Sequence, residues 1–124
     1  ETVREMYLLK TGELLSAACE IGAIIGGADD EKIKMARQYA FKVGLAFQII
    51  DDILDNIGDE KLLGKPIGSD AKNNKTTFVS KYGIEECRSI AANLSAEAKE
   101  ILGKLSGDNA NLIAITDYLL NRKY

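Results

Sequence analysis

Apolar residues return every three or four positions along most of this chain, which is the spacing of one face of an α-helix. In the first segment the pattern runs from Met6 past Ile21 and stops at the Gly26-Gly27 pair, so it predicts a helix of roughly 24 residues. β-branched residues are scattered rather than clustered, and the sequence contains one proline. The predicted fold class is therefore all-α.

A second long helix is predicted after Asp29 or Asp30, either of which can cap its first turn, and its apolar positions continue to about Gly58. Between residues 59 and 75 the periodicity disappears, and glycines, the proline and several lysines take its place. This stretch is predicted to be a loop. Further helices are expected over residues 75–82, 84–105 and 109–122.

The first two predicted helices are apolar around much of their circumference rather than along one stripe. Helices of this kind normally lie inside a larger bundle. We therefore expect the isolated chain to self-associate as a homo-oligomer. The chain also begins at Glu1 rather than at a methionine, which suggests a processed chain or a fragment.

Size, charge and cysteine content narrow the class of protein. The length predicts a single domain over residues 1–124. Sixteen basic and nineteen acidic residues give a net charge of −3 without a long block of like charge, which argues against nucleic acid as a partner. No apolar stretch approaches the roughly 20 residues of a membrane span. Because Cys19 and Cys87 lie far apart in helix-like segments, which suits a reducing compartment, we expect a cytoplasmic protein.

Three aspartates stand close together near the end of the second predicted helix, in the stretch FQIIDDILDN at residues 47–56. At 100° per residue, Asp51, Asp52 and Asp55 fall within an arc of about 100°, and Gln48 lies in the same arc one turn earlier. Like charges at this spacing repel, and acids near a helix C-terminus oppose the helix dipole. A divalent cation would relieve both effects, so this face is a candidate Mg²⁺ site that would also use substrate phosphates.

The alternative is that the three aspartates form a solvated helix end and need no ion. The following loop favours the metal site, because Lys65, Lys72 and Lys75 lie among glycine, serine and threonine residues, a composition able to wrap phosphate. The pair Asp29-Asp30, in contrast, follows two glycines and precedes a periodic run, so it is interpreted as a helix cap.

Several segments together resemble a known family. FQIIDDILD, followed by LGKPIGSD and NNKTTF, resembles the second aspartate-rich motif and lysine loop of the trans-isoprenyl diphosphate synthases, which include the farnesyl and geranylgeranyl diphosphate synthases. LLKTGELLSAA at residues 8–18 and the C-terminal ITDYLLNRKY extend the resemblance along the whole chain. A DDxxD motif alone is a weak signal, but this ordered combination is far more specific.

The resemblance implies an isoprenoid synthase helical bundle that performs head-to-tail prenyl transfer. In this family Mg²⁺ bridges the diphosphate of an allylic substrate to aspartates, the diphosphate leaves, and isopentenyl diphosphate attacks the allylic cation. By position, Asp51 with support from Asp52 and Asp55 would bind the metal. The resemblance also implies that Phe47 packs near isopentenyl diphosphate and that Arg122, in the basic tail, closes over its diphosphate.

The same resemblance assigns the remaining site residues. Lys10, Thr11 and Lys65 would hold the allylic diphosphate, with Lys75 at its entrance. Gln48 and Thr11 would stabilise the allylic cation. Each assignment has an alternative from the residues themselves: a lysine and a threonine within a helix are usually exposed surface, and Gln48 could be a satisfied buried amide.

One part of the family pattern is missing from the sequence. The family has another DDxxD motif, followed by an Arg-Arg pair, upstream of its Lys-Thr helix, and this chain has no such segment. The resemblance therefore implies the C-terminal half of a synthase, inactive by itself, whose partner is the missing N-terminal half. The alternative hypothesis is a stand-alone helical protein, either a non-catalytic subunit or a module that binds metal and diphosphate.

Overall fold

The computed structural model describes residues 2–57, 76–105 and 107–123, and every regular element in these ranges is helical. The prediction of an all-α fold is confirmed. Six α-helices and one π-helical turn follow each other in the described part of the chain: α1 (Thr2–Tyr7), the π-turn (Leu8–Gly12), α2 (Glu13–Ile25), α3 (Asp30–Ile57), α4 (Phe78–Tyr82), α5 (Ile84–Lys104) and α6 (Ala110–Asn121). The predicted loop over residues 59–75 lies outside the described residues.

The first predicted helix is present, but it is interrupted by the π-turn after Tyr7. It ends at Ile25, where the Gly27 amide donates to the Ile24 carbonyl and Gly27 adopts φ 81°. A positive φ strains residues that carry a Cβ atom, so glycine suits this helix end. Asp29 then caps α3, because its Oδ1 accepts a hydrogen bond of 2.9 Å from the Lys32 amide.

The later helices differ from the prediction mainly at their ends. The helix expected over residues 75–82 covers only Phe78–Tyr82, because Thr77 has extended backbone and caps it instead. Thr77 and Ser80 form a reciprocal capping box, each side chain accepting from the other's amide. The helices predicted over 84–105 and 109–122 are observed one or two residues shorter, as α5 and α6.

Helix α3 lies at the centre of the bundle and packs against every other helix that the structure describes. Its buried residues form two hydrophobic clusters with its neighbours. The first cluster surrounds the C-terminal half of α3 and includes Val3, Tyr7, Leu45, Ile49, Ile53, Phe78, Cys87 and Leu94. The second lies nearer its N-terminal half and consists of Tyr39, Val43, Ala98 and Leu102.

The π-turn crosses α3 at a pair of glycines. A Cβ atom on Gly44 would lie 3.2 Å from the Gly12 Cα, and one on Gly12 would lie 3.0 Å from Phe41 Cδ1. Contacts this short leave no room for a side chain at the crossing. The two glycines therefore let the backbone that carries Lys10 and Thr11 lie directly against α3.

One face of α2 has no packing partner among the described residues. Leu14 is 76% exposed and Ile25 is 81% exposed, and Ile21 and Ile24 are also exposed. This agrees with the expectation that the helix is apolar beyond one stripe. Among the helices that the structure describes, none has both the length and the apolar character needed to cross a membrane.

Candidate active site

The π-turn and α3 bring together two of the residues that the resemblance implied. The Gln48 Nε2 donates a hydrogen bond of 2.7 Å to Thr11 Oγ1. Gln48 is buried, so this bond satisfies part of its amide, while Lys10 next to Thr11 is exposed. The π-helical turn is a local departure from α-helical pairing, and such turns are frequent at functional sites. The bond to Thr11 agrees with the interpretation of Gln48 as a satisfied buried amide, and its role in stabilising an allylic cation stays a prediction.

A second contact joins the end of α6 to α3 beside Gln48. The Arg122 guanidinium donates hydrogen bonds of 3.3 Å to the Phe47 carbonyl and to Asp51 Oδ1. It also lies over the Phe47 ring, with 4.2 Å between Cζ and the ring centroid, which is a cation–π geometry. Arg122 therefore contacts two other residues predicted for the site, Phe47 and Asp51.

Asp52 has a different environment from Asp51. It is 4% exposed, and its Oδ2 accepts hydrogen bonds from the Tyr7 hydroxyl and, at 3.1 Å, from the Phe78 amide. Asp52 also affects the thiol of Cys87. Burial first, and then the negative charge of Asp52, raise the pKa of Cys87 to about 11. Asp52 thus links α1, α3 and α4.

The three aspartates do not form one open face, which differs from the expectation. Asp51 has a side chain that is 43% exposed, whereas Asp55 is 1% exposed and Asp52 is buried. Around the axis of α3, Asp51 lies on the solvent side of this arc and Asp52 on the core side, with Asp55 between them. The core side is covered because α1 and α4 pack against it. Within residues 2–57, 76–105 and 107–123, no three acidic or thiol side chains converge closely enough to hold a metal ion.

The three lysines named in the predicted loop, Lys65, Lys72 and Lys75, lie outside the described residues. Tyr7 is the residue that the sequence analysis missed. Its one signal in the sequence is its position three residues before Lys10, which places both on neighbouring turns. Its contact with Asp52 spans 45 positions of the chain and has no local signature.

An apolar cavity of about 350 Å³ lies between α2, α3 and α6. Thr11 and Phe47 line it, together with Tyr39, Val43, Leu112 and Leu119. Burial raises the pKa of the Cys19 thiol, which also borders the cavity. The pair formed by Gln48 and Thr11 therefore borders a cavity whose lining favours hydrocarbon groups over charged ones.

The site thus combines acids on the central helix of the bundle, a facing Lys-Thr turn and an adjoining apolar cavity. The chain belongs to the polyprenyl synthetase family, because the sequence model of that family matches residues 1–119. Among its relatives, the geranylgeranyl diphosphate synthase of Cyanophora paradoxa is 44% identical over 122 residues, which is 98% of this chain. The chain spans only 41% of the length of that relative.

Solved structures show the same partial correspondence. A geranylgeranyl pyrophosphate synthetase from Pyrococcus horikoshii matches with a TM-score of 0.84 and 32% identity, covering 95% of this chain and 48% of that one. A geranyltransferase from Helicobacter pylori, complexed with magnesium and isoprenyl diphosphate, matches with a TM-score of 0.74 and 31% identity, covering 97% and 39%. The resemblance and the fold predicted from the motifs are confirmed.

Proposed function

We propose that this chain is part of a prenyltransferase that condenses an allylic diphosphate with isopentenyl diphosphate head-to-tail, and that it contributes the second aspartate-rich motif. The observation that carries the proposal is the contact set on α3: Gln48 bonded to Thr11, and Asp51 bonded to Arg122, one turn apart. Geranylgeranyl diphosphate synthesis is supported by the similarity to the enzyme of Cyanophora paradoxa.

Asp51 is the residue of the motif best suited to bind Mg²⁺ directly, because its carboxylate is partly exposed. Mg²⁺ takes oxygen ligands and keeps several waters and phosphate oxygens, so one or two protein carboxylates suffice. In this proposal Asp52 and Asp55 support Asp51 from inside the bundle. When bound, the metal would stabilise the negative charge on the departing diphosphate. The Helicobacter pylori relative, complexed with magnesium and isoprenyl diphosphate, supports magnesium as the metal.

The other residues would bind and orient the substrates. Lys10 would hold the allylic diphosphate together with the loop lysines Lys65 and Lys75. The hydroxyl of Thr11 and the amide of Gln48 present oxygen dipoles that would stabilise positive charge on the allylic carbon, and such fixed dipoles act most strongly where water is excluded. Arg122 would bind the diphosphate of isopentenyl diphosphate.

Phe47 has a place in the same arrangement. Its ring already lies beneath the Arg122 guanidinium and lines the apolar cavity. The ring would thus pack beside isopentenyl diphosphate while its face holds the cationic group that binds the diphosphate. Thr11, which lines the same cavity, would keep the reacting carbon beside hydrocarbon rather than water.

The proposal includes a partner, the remaining half of the synthase, without which this chain would be inactive. It rests on the share of the Cyanophora paradoxa relative that the chain spans, and on the exposed apolar face of α2. Large exposed apolar patches commonly mark interaction sites. We also propose that the chain forms a homo-oligomer and acts in the cytoplasm.

The metal site can be tested by titrating the purified 124-residue chain with inorganic pyrophosphate in the presence and absence of Mg²⁺, by calorimetry. We expect Mg²⁺-dependent binding that Asp51→Asn weakens by about tenfold or more. Asp30→Asn is a matched control, because it removes the same charge from the exposed first turn of the same helix. Lack of Mg²⁺-dependent binding, or equal loss in both variants, would contradict the proposal.

A further inference from the structure

We propose that Tyr7 is a positioning residue for the aspartate motif: its hydroxyl holds the Asp52 carboxylate inside the bundle, so that Asp51 is the carboxylate presented outward. This inference rests on the proposed function, because it concerns how the chain presents Asp51 to metal and diphosphate. Tyr7 itself would touch neither, and it would act through Asp52.

The first step is the geometry at a single oxygen atom. Asp52 Oδ2 accepts from the Tyr7 hydroxyl of α1 and from the Phe78 amide at the start of α4. The tyrosine and the aspartate are both buried. A buried carboxylate is stable only where donors replace the water it has lost, and bonds to a charged acceptor are the stronger kind. The two donors therefore hold the carboxylate in its inward orientation.

The second step is that neighbouring packing keeps both donors in place. The Tyr7 and Phe78 rings pack with 5.2 Å between their centroids, and the Phe78 ring packs in turn on Tyr82. The capping box of Thr77 and Ser80 fixes the backbone that carries the Phe78 amide. The hydroxyl and the amide thus approach Asp52 from residues packed in the first hydrophobic cluster.

The third step connects Asp52 to Asp51. The two are consecutive on α3, so their side chains point about 100° apart around the helix axis. Holding Asp52 inward restrains the rotation of this part of α3, which the first hydrophobic cluster also fixes, and with it the direction of Asp51 toward Arg122 and solvent. Partners of this kind, which orient a ligand without binding the metal, commonly change metal affinity by about 10- to 100-fold when removed.

The test is Tyr7→Phe, which removes one oxygen and keeps the ring. We expect its Mg²⁺-dependent affinity for inorganic pyrophosphate, measured by calorimetry on the 124-residue chain, to fall about tenfold. Tyr82→Phe is the first control, since it makes the same change in the same aromatic cluster at an exposed position. Thr116→Val is the second control, since it removes a buried hydroxyl bonded to Tyr39 and to the Leu112 carbonyl, away from the aspartates.

The outcomes separate this inference from the proposed function. A tenfold loss in Tyr7→Phe, with both controls at the affinity of the unmodified chain, supports the positioning role. If the unmodified chain binds and Tyr7→Phe binds equally well, the inference is overturned and the proposed metal site stands. An equal loss in Thr116→Val shows a general effect of destabilisation and also overturns it. If the unmodified chain shows no Mg²⁺-dependent binding, the proposed site fails, and the inference fails with it.

If Tyr7→Phe alone does not fold, the same substitution can be tested in the Asp52→Asn variant. Asp52→Asn retains an oxygen acceptor but has no charge, so loss of the hydroxyl is less damaging there. If Tyr7 acts through the Asp52 carboxylate, adding Tyr7→Phe to Asp52→Asn leaves the affinity unchanged. A further loss in the double variant would show that Tyr7 acts by another route, against the proposal.

Discussion

Two buried tyrosines join α3 to its neighbours at opposite ends, and they do so with different acceptors. Tyr39, in the N-terminal half of α3, bonds to the neutral Thr116 hydroxyl of α6 at 2.9 Å. Tyr7 bonds to the charged Asp52 near the other end. The first link lies in a hydrophobic cluster that borders the apolar cavity, whereas the second lies beside the partly exposed Asp51. The same type of side chain thus secures packing in one region and the orientation of an acidic motif in the other.

The largest difference between the two regions should be seen in stability. We expect Tyr7→Phe to lower the free energy of unfolding by about 2 kcal/mol and Tyr39→Phe by about 1 kcal/mol, because a hydrogen bond to a charged group contributes more than a neutral one. Urea denaturation followed by circular dichroism measures both. Equal losses of stability in the two variants would show that the charged acceptor of Tyr7 and the neutral acceptor of Tyr39 do not differ in effect.

A pH titration tests the burial of charge in the aspartate region. Burial and Asp52 raise the pKa of Cys87 from 9.0 to about 11, so the folded chain keeps its proton where the unfolded chain loses it. This contribution to stability is complete below about pH 9 and is lost as the pH rises toward 11. We expect the urea midpoint of Cys87→Ala to fall less between pH 9 and pH 11 than that of the unmodified chain. An equally steep fall in Cys87→Ala would show that other titrating groups cause the loss of stability.

The smallest expected effect concerns a hydroxyl that differs from those of both tyrosines. Ser16 on α2 is buried, and its Oγ has no hydrogen-bond partner within the described part of the chain. An unpaired buried hydroxyl destabilises the folded state, so Ser16→Ala should raise the free energy of unfolding by about 1 kcal/mol. Thr116→Ala is the contrasting variant, because its hydroxyl is bonded to Tyr39 and to the Leu112 carbonyl. Its stability should fall, and a rise in both would show that hydrogen bonding is not the cause.

The positions of the helices were largely predictable, because periodicity, glycine stops and caps are local. Asp29 caps α3 as expected, and Gly26-Gly27 ends α2. The start of α4 was placed too early because several residues in that stretch are compatible with a helix. The capping box of Thr77 and Ser80, which sets the start, became visible only in the backbone conformation.

The candidate site was predictable as a set of residues but not as an arrangement. Helical geometry placed the three aspartates on one arc, and the contacts of Gln48 with Thr11 and of Arg122 with Asp51 join residues that the motifs had named. The spacing could not show which aspartate faces solvent. That depends on how α3 is rotated against its neighbours.

The order of apolar and polar residues was enough to determine that this chain is helical and where its long helices lie, because both depend on local spacing. Short motifs were enough to indicate the family. Tertiary packing decided that Asp51 faces outward, that Asp52 is buried, and that Tyr7 is its partner. The physical reason is that a buried charge takes its donors from whichever elements pack against it. Here they come from α1 and α4, which are far from α3 in the sequence and adjacent to it only in the folded chain.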